Sequence, residues 1–454
     1  MKILIKNGLV VTSEKTFKAD ILIKNKIISQ IREDIKTPMD IDKVVDASGR
    51  YIFPGGIDPH VHMNLPTPAG NSSDDFYSGS KAALIGGTTT IIDFVTPQIG
   101  QSLTEALHLR KKEAESSVTD YSFHVSPIEW NNDTENEIKK CIKEGITSFK
   151  VYMAYKKTIG LSDKVLEKVM TVVAKAGGLI TVHAEMDDTI EKLRDEYALS
   201  GKVSPEYHAK SRPPHTESDA VKKVINMAGE TKCPLYIVHV SAKESILHIA
   251  KARKKAQLVF AEVCPHHLLL DDSRYNDDFE KACAFVLSPP LRKDVDSAAL
   301  WQKIEEFIVQ TTGTDHCPFT LKQKSAGRDD FRKIPNGAGS VEHRMALLYT
   351  YGVLEKRISI NRFVEITSTN AAKIFGLYPK KGVIAKGSDA DIIIWNPEIK
   401  NVISTQSHHQ NSDLNIFEGF STMGAAEYVF TKGITAIENG KLINEPKGLF
   451  LKRK

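Results

Sequence analysis

Between about residue 52 and residue 315, the chain repeats a short apolar run rich in β-branched residues, followed by a longer helix-like stretch. Helix-like stretches of this kind cover 75–85, 135–143 and 164–176. Strands separated by helices predict parallel βαβ units, and eight such runs predict a closed (β/α)8 barrel of the TIM type, with a doubly wound open sheet as the alternative. The predicted strands are 52–58, 88–95, 120–126, 148–154, 179–185, 235–241, 258–263 and 307–315.

The two ends of the chain have a different pattern. Residues 1–51 contain short alternating strands with turn residues between them, and the same pattern occurs again beyond about residue 380. We therefore predict an α/β protein in which 1–51 and 380–440 together form a small β-sandwich beside a barrel of residues 52–379. The basic segment 441–454 is predicted to be a C-terminal arm that lies on a neighbouring subunit or in solvent.

Composition narrows the class of protein. The chain has 454 residues, of which 41% are hydrophobic and 26% charged, as in a soluble globular protein with one large core and a smaller one. The formal charge of +4 and the lack of a basic block argue against a nucleic-acid partner. Five scattered cysteines without a CxxC pair argue against a disulfide framework or a Cys-based zinc site. Without a signal segment or a membrane-length apolar run, the expected location is the cytoplasm, with no membrane partner.

Metal-binding side chains recur at the carboxyl ends of the predicted strands, where barrel enzymes place their active sites. The first strand ends in His60 and His62, which share one face of a strand and can therefore meet one ion. His183, His239 and Asp315 end three further strands. This recurrence predicts a metal site, although any one of these histidines alone is better explained by packing. Nitrogen and carboxylate ligands suit zinc, and iron, manganese or cobalt as alternatives.

Lys150, at the end of the fourth strand, has the wrong charge for a cation site. It is either solvated or paired with a carboxylate, or its amine is carbamylated by carbon dioxide and bridges two ions. Two divalent ions bring four positive charges, and Asp315 with a bridging hydroxide removes only two of them. A carbamate removes a third and fits between ions ~3.5–4 Å apart.

The sequence resembles the dihydropyrimidinase and D-hydantoinase family of the amidohydrolase superfamily. The resemblance runs in order over nearly the whole chain and rests on specific motifs, among them PGGIDPHVHM, FKVYMAY, TVHAE, IVHVSA, EVCPHHL, SPPLR, GTDHCPF and TNAAKIFGLYPKKGVIAKGSDADIIIW. It implies that a metal-bound hydroxide opens dihydropyrimidines (dihydrouracil, dihydrothymine) or 5-substituted hydantoins to N-carbamoyl amino acids. It also implies two divalent metal ions, most simply Zn²⁺, and a homotetramer.

The resemblance also implies roles for individual residues. His60 and His62 would bind one ion and His183 and His239 the other, with carboxylated Lys150 as the bridge. Asp315 would be the last metal ligand and the proton carrier. Tyr155 would donate a hydrogen bond to the reacting carbonyl, and the backbone at Ser288 and Asn336 would hold the ureide ring. The wall for the ring substituent would include Met63, Leu65, Tyr152 and Ile159.

Related activities, and a role outside catalysis, are weighed against this interpretation. Dihydroorotase-like sequences have an arginine just after the HxH pair, whereas this chain has Met63-Asn64-Leu65-Pro66. The sequence is also compatible with an allantoinase-like ureide hydrolase and with a non-catalytic scaffold relative. We assign no catalytic role to His266–His267, His408–His409 or Cys317, and His316 is either packed or adjacent to the metal ligands.

Overall fold

Eight parallel strands form the barrel within the part of the chain that the structure, a computed structural model of residues 2–454, describes. Each strand pairs with the next one in sequence order. The His62 N–H donates to the His316 carbonyl at 2.8 Å, next to a bridge between Val61 and His316, and this contact brings the two edges of the sheet together. The predicted barrel is confirmed, and it is nearly closed. Its strands are β6 (Gly56–Val61), β7 (Thr88–Val95), β8 (Asp120–Val125), β9 (Ser148–Tyr152), β10 (Leu179–His183), β11 (Leu235–Ile237), β12 (Val259–Val263) and β13 (Thr311–Thr312).

Helices cover the outside of the barrel, so its strands are buried on both faces. Every residue of β7 is buried, as expected for a strand between the barrel interior and a helical layer. The first helix begins where the Asp75 carboxylate accepts a hydrogen bond from the Ser78 N–H at 2.8 Å. None of the described helices is long and apolar enough to span a membrane. The helices are α1 (Phe76–Ile85), α2 (Leu103–Glu113), α3 (Thr134–Lys143), α4 (Asp163–Lys175), α5 (Asp187–Leu199), α6 (Glu206–Lys210), α7 (Pro214–Thr231), α8 (Lys243–Lys254), α9 (Pro265–Leu269), α10 (Phe279–Ala282), α11 (Asp294–Glu305), α12 (Leu321–Lys324), α13 (Arg344–Leu348), α14 (Ile360–Val364) and α15 (Asn370–Ile374).

The chain ends form a second, mixed sheet, which has nine strands among the described residues. Strand β5 joins the two ends, because it pairs with β1 in parallel and with β14 in antiparallel orientation. This confirms the predicted small β domain built from both termini. Its strands are β1 (Lys2–Val11), β2 (Thr16–Lys24), β3 (Ile27–Arg32), β4 (Lys43–Asp46), β5 (Tyr51–Pro54), β14 (Ile392–Val402), β15 (Ser421–Thr431), β16 (Ile434–Glu438) and β17 (Lys441–Leu442).

Two of the predicted barrel strands differ from the structure for reasons that are visible in the backbone. The run 52–58 is not one strand: β5 belongs to the terminal sheet and β6 to the barrel, and the chain passes between them at Gly55. A Cβ at Gly55 would lie 2.1 Å from Thr89 Oγ1, so only glycine allows this close passage. The last strand, predicted over 307–315, is limited to β13. Its predicted ends are excluded because Phe307 and Asp315 have φ angles of +60° and +51°, which interrupt the extended backbone.

The C-terminal segment packs on the barrel of its own chain, and the prediction of an arm in solvent was wrong. Lys441 and Leu442 still belong to the terminal sheet, as β17. Leu451 then donates to the Tyr121 carbonyl at 2.7 Å, and the buried Arg453 donates to Ser148 Oγ at 2.6 Å. Tyr121 and Ser148 lie near the amino ends of β8 and β9, so the tail closes the barrel at the end opposite to the predicted metal ligands.

A buried ion cluster joins the barrel to the terminal sheet. The Lys381 ammonium lies 2.6 Å from Asp120, 2.5 Å from Asp391 and 3.0 Å from Asp389. Lys432 also pairs with Asp120. Burial lowers the pKa of Lys381, but the three carboxylates outweigh this effect and raise it above its usual value. The cluster fixes the sheet against the barrel, on which the site is built.

Candidate metal centre

Three of the predicted ligands converge at the carboxyl end of the barrel. His60 lies in β6 and His62 directly after it, and Asp315 follows β13. The Nε2 atoms of His60 and His62 each lie 3.0 Å from Asp315 Oδ1. Their nitrogen and oxygen atoms lie close enough together to hold one metal ion. The period of two along a strand puts both imidazoles on the same face, as the sequence predicted.

A buried glutamate orients His60. The Nδ1–H of His60 donates to Glu262 Oε1 at 2.6 Å, which turns Nε2 toward Asp315. Glu262 Oε1 also accepts the His239 N–H at 3.0 Å, and its Oε2 accepts the Tyr236 hydroxyl at 2.8 Å. Burial lowers the pKa of His60, but the carboxylates of Glu262 and Asp315 more than offset this and raise it to about 9. The nitrogen that faces Asp315 is therefore in a strongly cation-favouring position.

His183 and His239 form a second group of donors. His183 Nδ1 lies 3.0 Å from His239 Nε2, and His183 Nε2–H donates to Glu185 Oε2 at 2.8 Å. Because the proton of His183 is on Nε2, its Nδ1 lone pair points toward His239 Nε2. Burial lowers the pKa of both histidines, which favours the neutral form that binds metals. The donor set therefore fits a second ion.

Glu185 keeps its negative charge in the interior because Arg212 lies 2.6 Å from its Oε2. Burial raises the pKa of Glu185, but Arg212 and His183 outweigh this and lower it to about 2. Carboxylates that accept the second imidazole proton fix the tautomer of a metal ligand and increase its basicity. Glu185 accepts this proton from His183, and Glu262 accepts it from His60. Neither glutamate was predicted from the sequence.

Lys150 is buried in β9 without an acidic partner among the described ion pairs. Its Nζ lies over the rings of Phe94, at 4.8 Å, and Tyr152, at 5.0 Å. Burial lowers the pKa of Lys150 to about 8, and Asp315 and Glu262 oppose the shift. Of the two interpretations of this lysine, the one in which it is solvated or paired with a carboxylate finds no support, because its side chain is buried and makes no ion pair within the described part of the chain.

The two groups of donors and Tyr155 are contiguous. The ring centroids of His60 and His239 are 5.4 Å apart, and those of Tyr155 and His183 are 5.3 Å apart. Tyr155, His239 and Asp315 have φ angles of +62°, +39° and +51°, a region that L-residues other than asparagine rarely adopt. Backbone of this kind costs of the order of 1–3 kcal/mol per residue and is found preferentially at functional sites.

Ser288 and Asn336 lie together in two loops. The Asn336 side-chain amide donates to Ser288 Oγ at 3.2 Å, and His208 Nε2–H donates to the carbonyl of Leu287 at 2.8 Å.

Of the residues predicted to form the wall for the ring substituent, Met63 and Tyr152 are buried, and Leu65 and Ile159 are half-buried.

The remaining histidines and Cys317 have local partners or packed positions. His316 Nε2 lies 3.0 Å from Asp74, and its Nδ1 accepts the Ser340 N–H, which is a packed role. His266 and His267 are buried in the short helix α9 rather than in a strand, close to Cys264. His409 binds Glu342 at the surface. Burial raises the pKa of the Cys317 thiol.

Comparison with known proteins identifies the chain. The sequence profile of the Amidohydrolase family matches residues 51–435. The chain is 40% identical to a D-hydantoinase of Geobacillus stearothermophilus, over 99% of this chain and 96% of that protein. It is also 40% identical to a dihydropyrimidinase of Rattus norvegicus, over 97% and 86%. The crystal structure of dihydropyrimidinase from Brevibacillus agri superposes with a TM-score of 0.98 at 40% identity, covering 100% of this chain and 99% of that one.

Fold and site thus define a barrel hydrolase of the amidohydrolase superfamily. Within that superfamily, the chain belongs to the dihydropyrimidinase and D-hydantoinase family. It is accordingly an enzyme, a cyclic amidohydrolase.

Proposed function

We propose that the enzyme hydrolyses the ring of 5,6-dihydropyrimidines such as dihydrouracil and dihydrothymine, and of 5-substituted hydantoins, to N-carbamoyl amino acids. The observation that carries the proposal is the convergence of His60, His62 and Asp315 beside the His183–His239 pair at one end of the barrel. The relatives named dihydropyrimidinase and D-hydantoinase support this choice of substrates.

The donors suit two divalent ions, which we propose to be zinc. His60 and His62 would hold one ion and His183 and His239 the other, with Asp315 as a further ligand. Lys150, carboxylated on Nζ, would bridge them, and the lack of an acidic partner for its ammonium supports this modification. When bound, such a pair of ions lowers the pKa of a water molecule and polarises a carbonyl group.

The chain's own residues supply the proton transfer and the alignment of the substrate. Asp315, whose Oδ1 lies 3.0 Å from the Nε2 atoms of His60 and His62, would take a proton from water and pass it to the leaving ring nitrogen. Tyr155, whose ring lies beside that of His183, would donate its hydroxyl hydrogen bond to the carbonyl oxygen as negative charge develops there. The backbone groups of Ser288 and Asn336 would hold the rest of the ring.

The arginines near the site disfavour acidic substrates such as dihydroorotate. Arg212 is paired with Glu185, and Arg110 is paired with Asp93 at 2.6 Å. Neither guanidinium is free for a substrate carboxylate, and a buried unpaired anion costs several kcal/mol. Allantoin stays an alternative substrate, and we propose a homotetramer on the resemblance alone.

The test is a substrate panel with the metal content measured in the same preparations. We expect turnover of dihydrouracil and 5-substituted hydantoins, low kcat/KM for dihydroorotate, and two metal ions per chain. Stoichiometric metal without hydrolysis of any cyclic ureide would refute the proposed substrates. A protein that folds, binds no metal and turns over nothing would be a scaffold relative.

A further inference from the structure

A buried lysine outside the metal centre holds the two loops that contain Ser288 and Asn336. Lys324 ends the short helix α12, and its side chain is 1% exposed. Its Nζ donates to three carbonyl oxygens, those of Val286, Pro335 and Gly337, each at 2.8 Å. Val286 precedes Ser288 by two residues, and Pro335 and Gly337 flank Asn336.

The chemistry of this contact is unusual for a buried ammonium. An ammonium group has three N–H donors, and the three carbonyls use all of them. No carboxylate pairs with Lys324 among the described ion pairs, so these peptide dipoles and the ring of Phe319, 5.6 Å away, replace its hydration. Burial lowers the pKa of Lys324 to about 7. A methionine or leucine would pack here without desolvating a charge, so the lysine has another use than filling the space.

Peptide planarity transmits this anchoring to the groups that face the substrate. In a trans peptide the C=O and the following N–H point in opposite directions. Fixing the Pro335 carbonyl on Lys324 therefore turns the Asn336 N–H away from the lysine. His208 fixes the Leu287 carbonyl at 2.8 Å in the same way and so directs the Ser288 N–H. Neither the Ser288 N–H nor the Asn336 N–H donates a hydrogen bond to another group within residues 2–454.

We infer that Lys324 is a positioning residue for substrate binding: its ammonium aligns the Ser288 and Asn336 loops so that their backbone groups can hold the non-reacting side of the ring. The inference rests on the proposed function for its choice of substrate. Lys324 does not contact the predicted metal ligands, so its effect falls on binding rather than on the chemical step. Interactions that are equally strong in the ground state and in the transition state alter KM and leave kcat nearly unchanged, and we expect the contacts of these two loops to be of this kind.

The experiment compares Lys324→Met, Lys324→Gln and the control Lys322→Met in metal-loaded enzyme with dihydrouracil. Lys322 is an exposed lysine of the same helix, so its variant makes the same chemical change without touching the loops. We expect Lys324→Met to raise KM by about tenfold or more, with kcat within about threefold of the parent and unchanged metal content. Lys324→Gln retains two N–H donors, and we expect an intermediate KM.

Amide hydrogen exchange gives a second measurement that does not depend on turnover. Peptides covering 284–289 and 334–339 should exchange faster in both Lys324 variants and not in the Lys322 control. If the parent hydrolyses no cyclic ureide, the proposed function fails, while exchange in these two segments still tests Lys324. The inference is overturned if KM and local exchange equal the parent's in a folded Lys324 variant, or if kcat falls while KM is unchanged. If Lys324→Met does not fold, Lys324→Gln decides by the same criteria.

Discussion

Replacement of Glu262 tests how the metal centre is oriented. The side chain is fully buried and uses both oxygens: Oε1 accepts from His60 Nδ1–H and the His239 N–H, and Oε2 accepts from Tyr236. One substitution therefore acts on two predicted ligands, one through its imidazole and the other through a backbone held at a φ of +39°. Glu262→Ala removes all of these acceptors, whereas Glu262→Gln is nearly isosteric.

The structure predicts a different loss of metal affinity for each of the two variants. A glutamine oxygen can replace Oε1 and keep the bonds to His60 and His239. Its NH₂ group then faces Tyr236, whose hydroxyl can donate to Thr311 Oγ1 at 2.5 Å instead. Glu262→Gln thus loses charge but not geometry, and we expect the lower end of the usual ~10–100-fold range for partners of metal ligands. Glu262→Ala belongs at the upper end. These factors correspond to ~1.4 and ~2.7 kcal/mol of metal-binding free energy.

The assay is metal affinity, measured by competition with a chromophoric chelator, together with kcat on dihydrouracil. Glu217→Gln is the matched control, because Glu217 is a buried carboxylate that accepts the Ser241 and Ala242 amides but touches no predicted ligand. Its metal affinity should equal the parent's. If Glu262→Ala folds and binds both ions as tightly as the parent, Glu262 does not orient the centre and the assignment fails.

Three further predictions concern single side chains. Tyr155→Phe keeps the ring, so fold and metal content should be unchanged while kcat falls ~10²–10³-fold; a kcat within about threefold would make Tyr155 a wall residue. Lys150→Ala should lose metal and activity but remain folded, and added short carboxylates should restore part of the rate, whereas full metal and rate would exclude the bridge. Lys381→Met leaves its buried carboxylates short of a partner, and the free energy of unfolding should fall by ~3–5 kcal/mol, measured by denaturant titration. An unchanged unfolding midpoint would show that the cluster contributes nothing.

Strand ends made much of the site predictable. His60, His62, His183, His239 and Asp315 all follow apolar runs, and barrel topology brings such ends together. Glu262 and Glu185 also lie at strand ends, but they were missed because a carboxylate there has no spacing signature of its own. Ser288 and Asn336 lie in loops and Lys324 ends a short helix. The positions of all three depend on long-range contacts, so only the resemblance indicated the first two and nothing in the local sequence indicated the third.

The fold predictions failed where an apolar run could join either of two sheets. Residues 52–58 have one continuous hydrophobic pattern, yet β5 and β6 belong to different sheets. Periodicity records which face is buried and not which neighbour buries it. The C-terminal arm failed for a related reason: its basic residues suggested solvent, whereas Arg453 donates to uncharged oxygens at the closed end of the barrel, those of Ser148 and Phe123. Polar partners of this kind cannot be identified before the fold is known.

Charge at the open end of the barrel supports the proposed carboxylation of Lys150 when two divalent ions bind there. Glu185 and Asp93 are neutralised by Arg212 and Arg110, respectively. Of the remaining charges, Glu262 and Asp315 are negative and the Lys150 ammonium is positive, which leaves one net negative charge for two divalent ions. Carboxylation replaces that ammonium with an anion and so raises the available negative charge from one to three. A buried positive excess costs several kcal/mol, and this exchange removes most of it without any change in sequence. The same charge balance explains why Lys150→Ala should need an added carboxylate, rather than a neutral additive, to recover metal binding and activity.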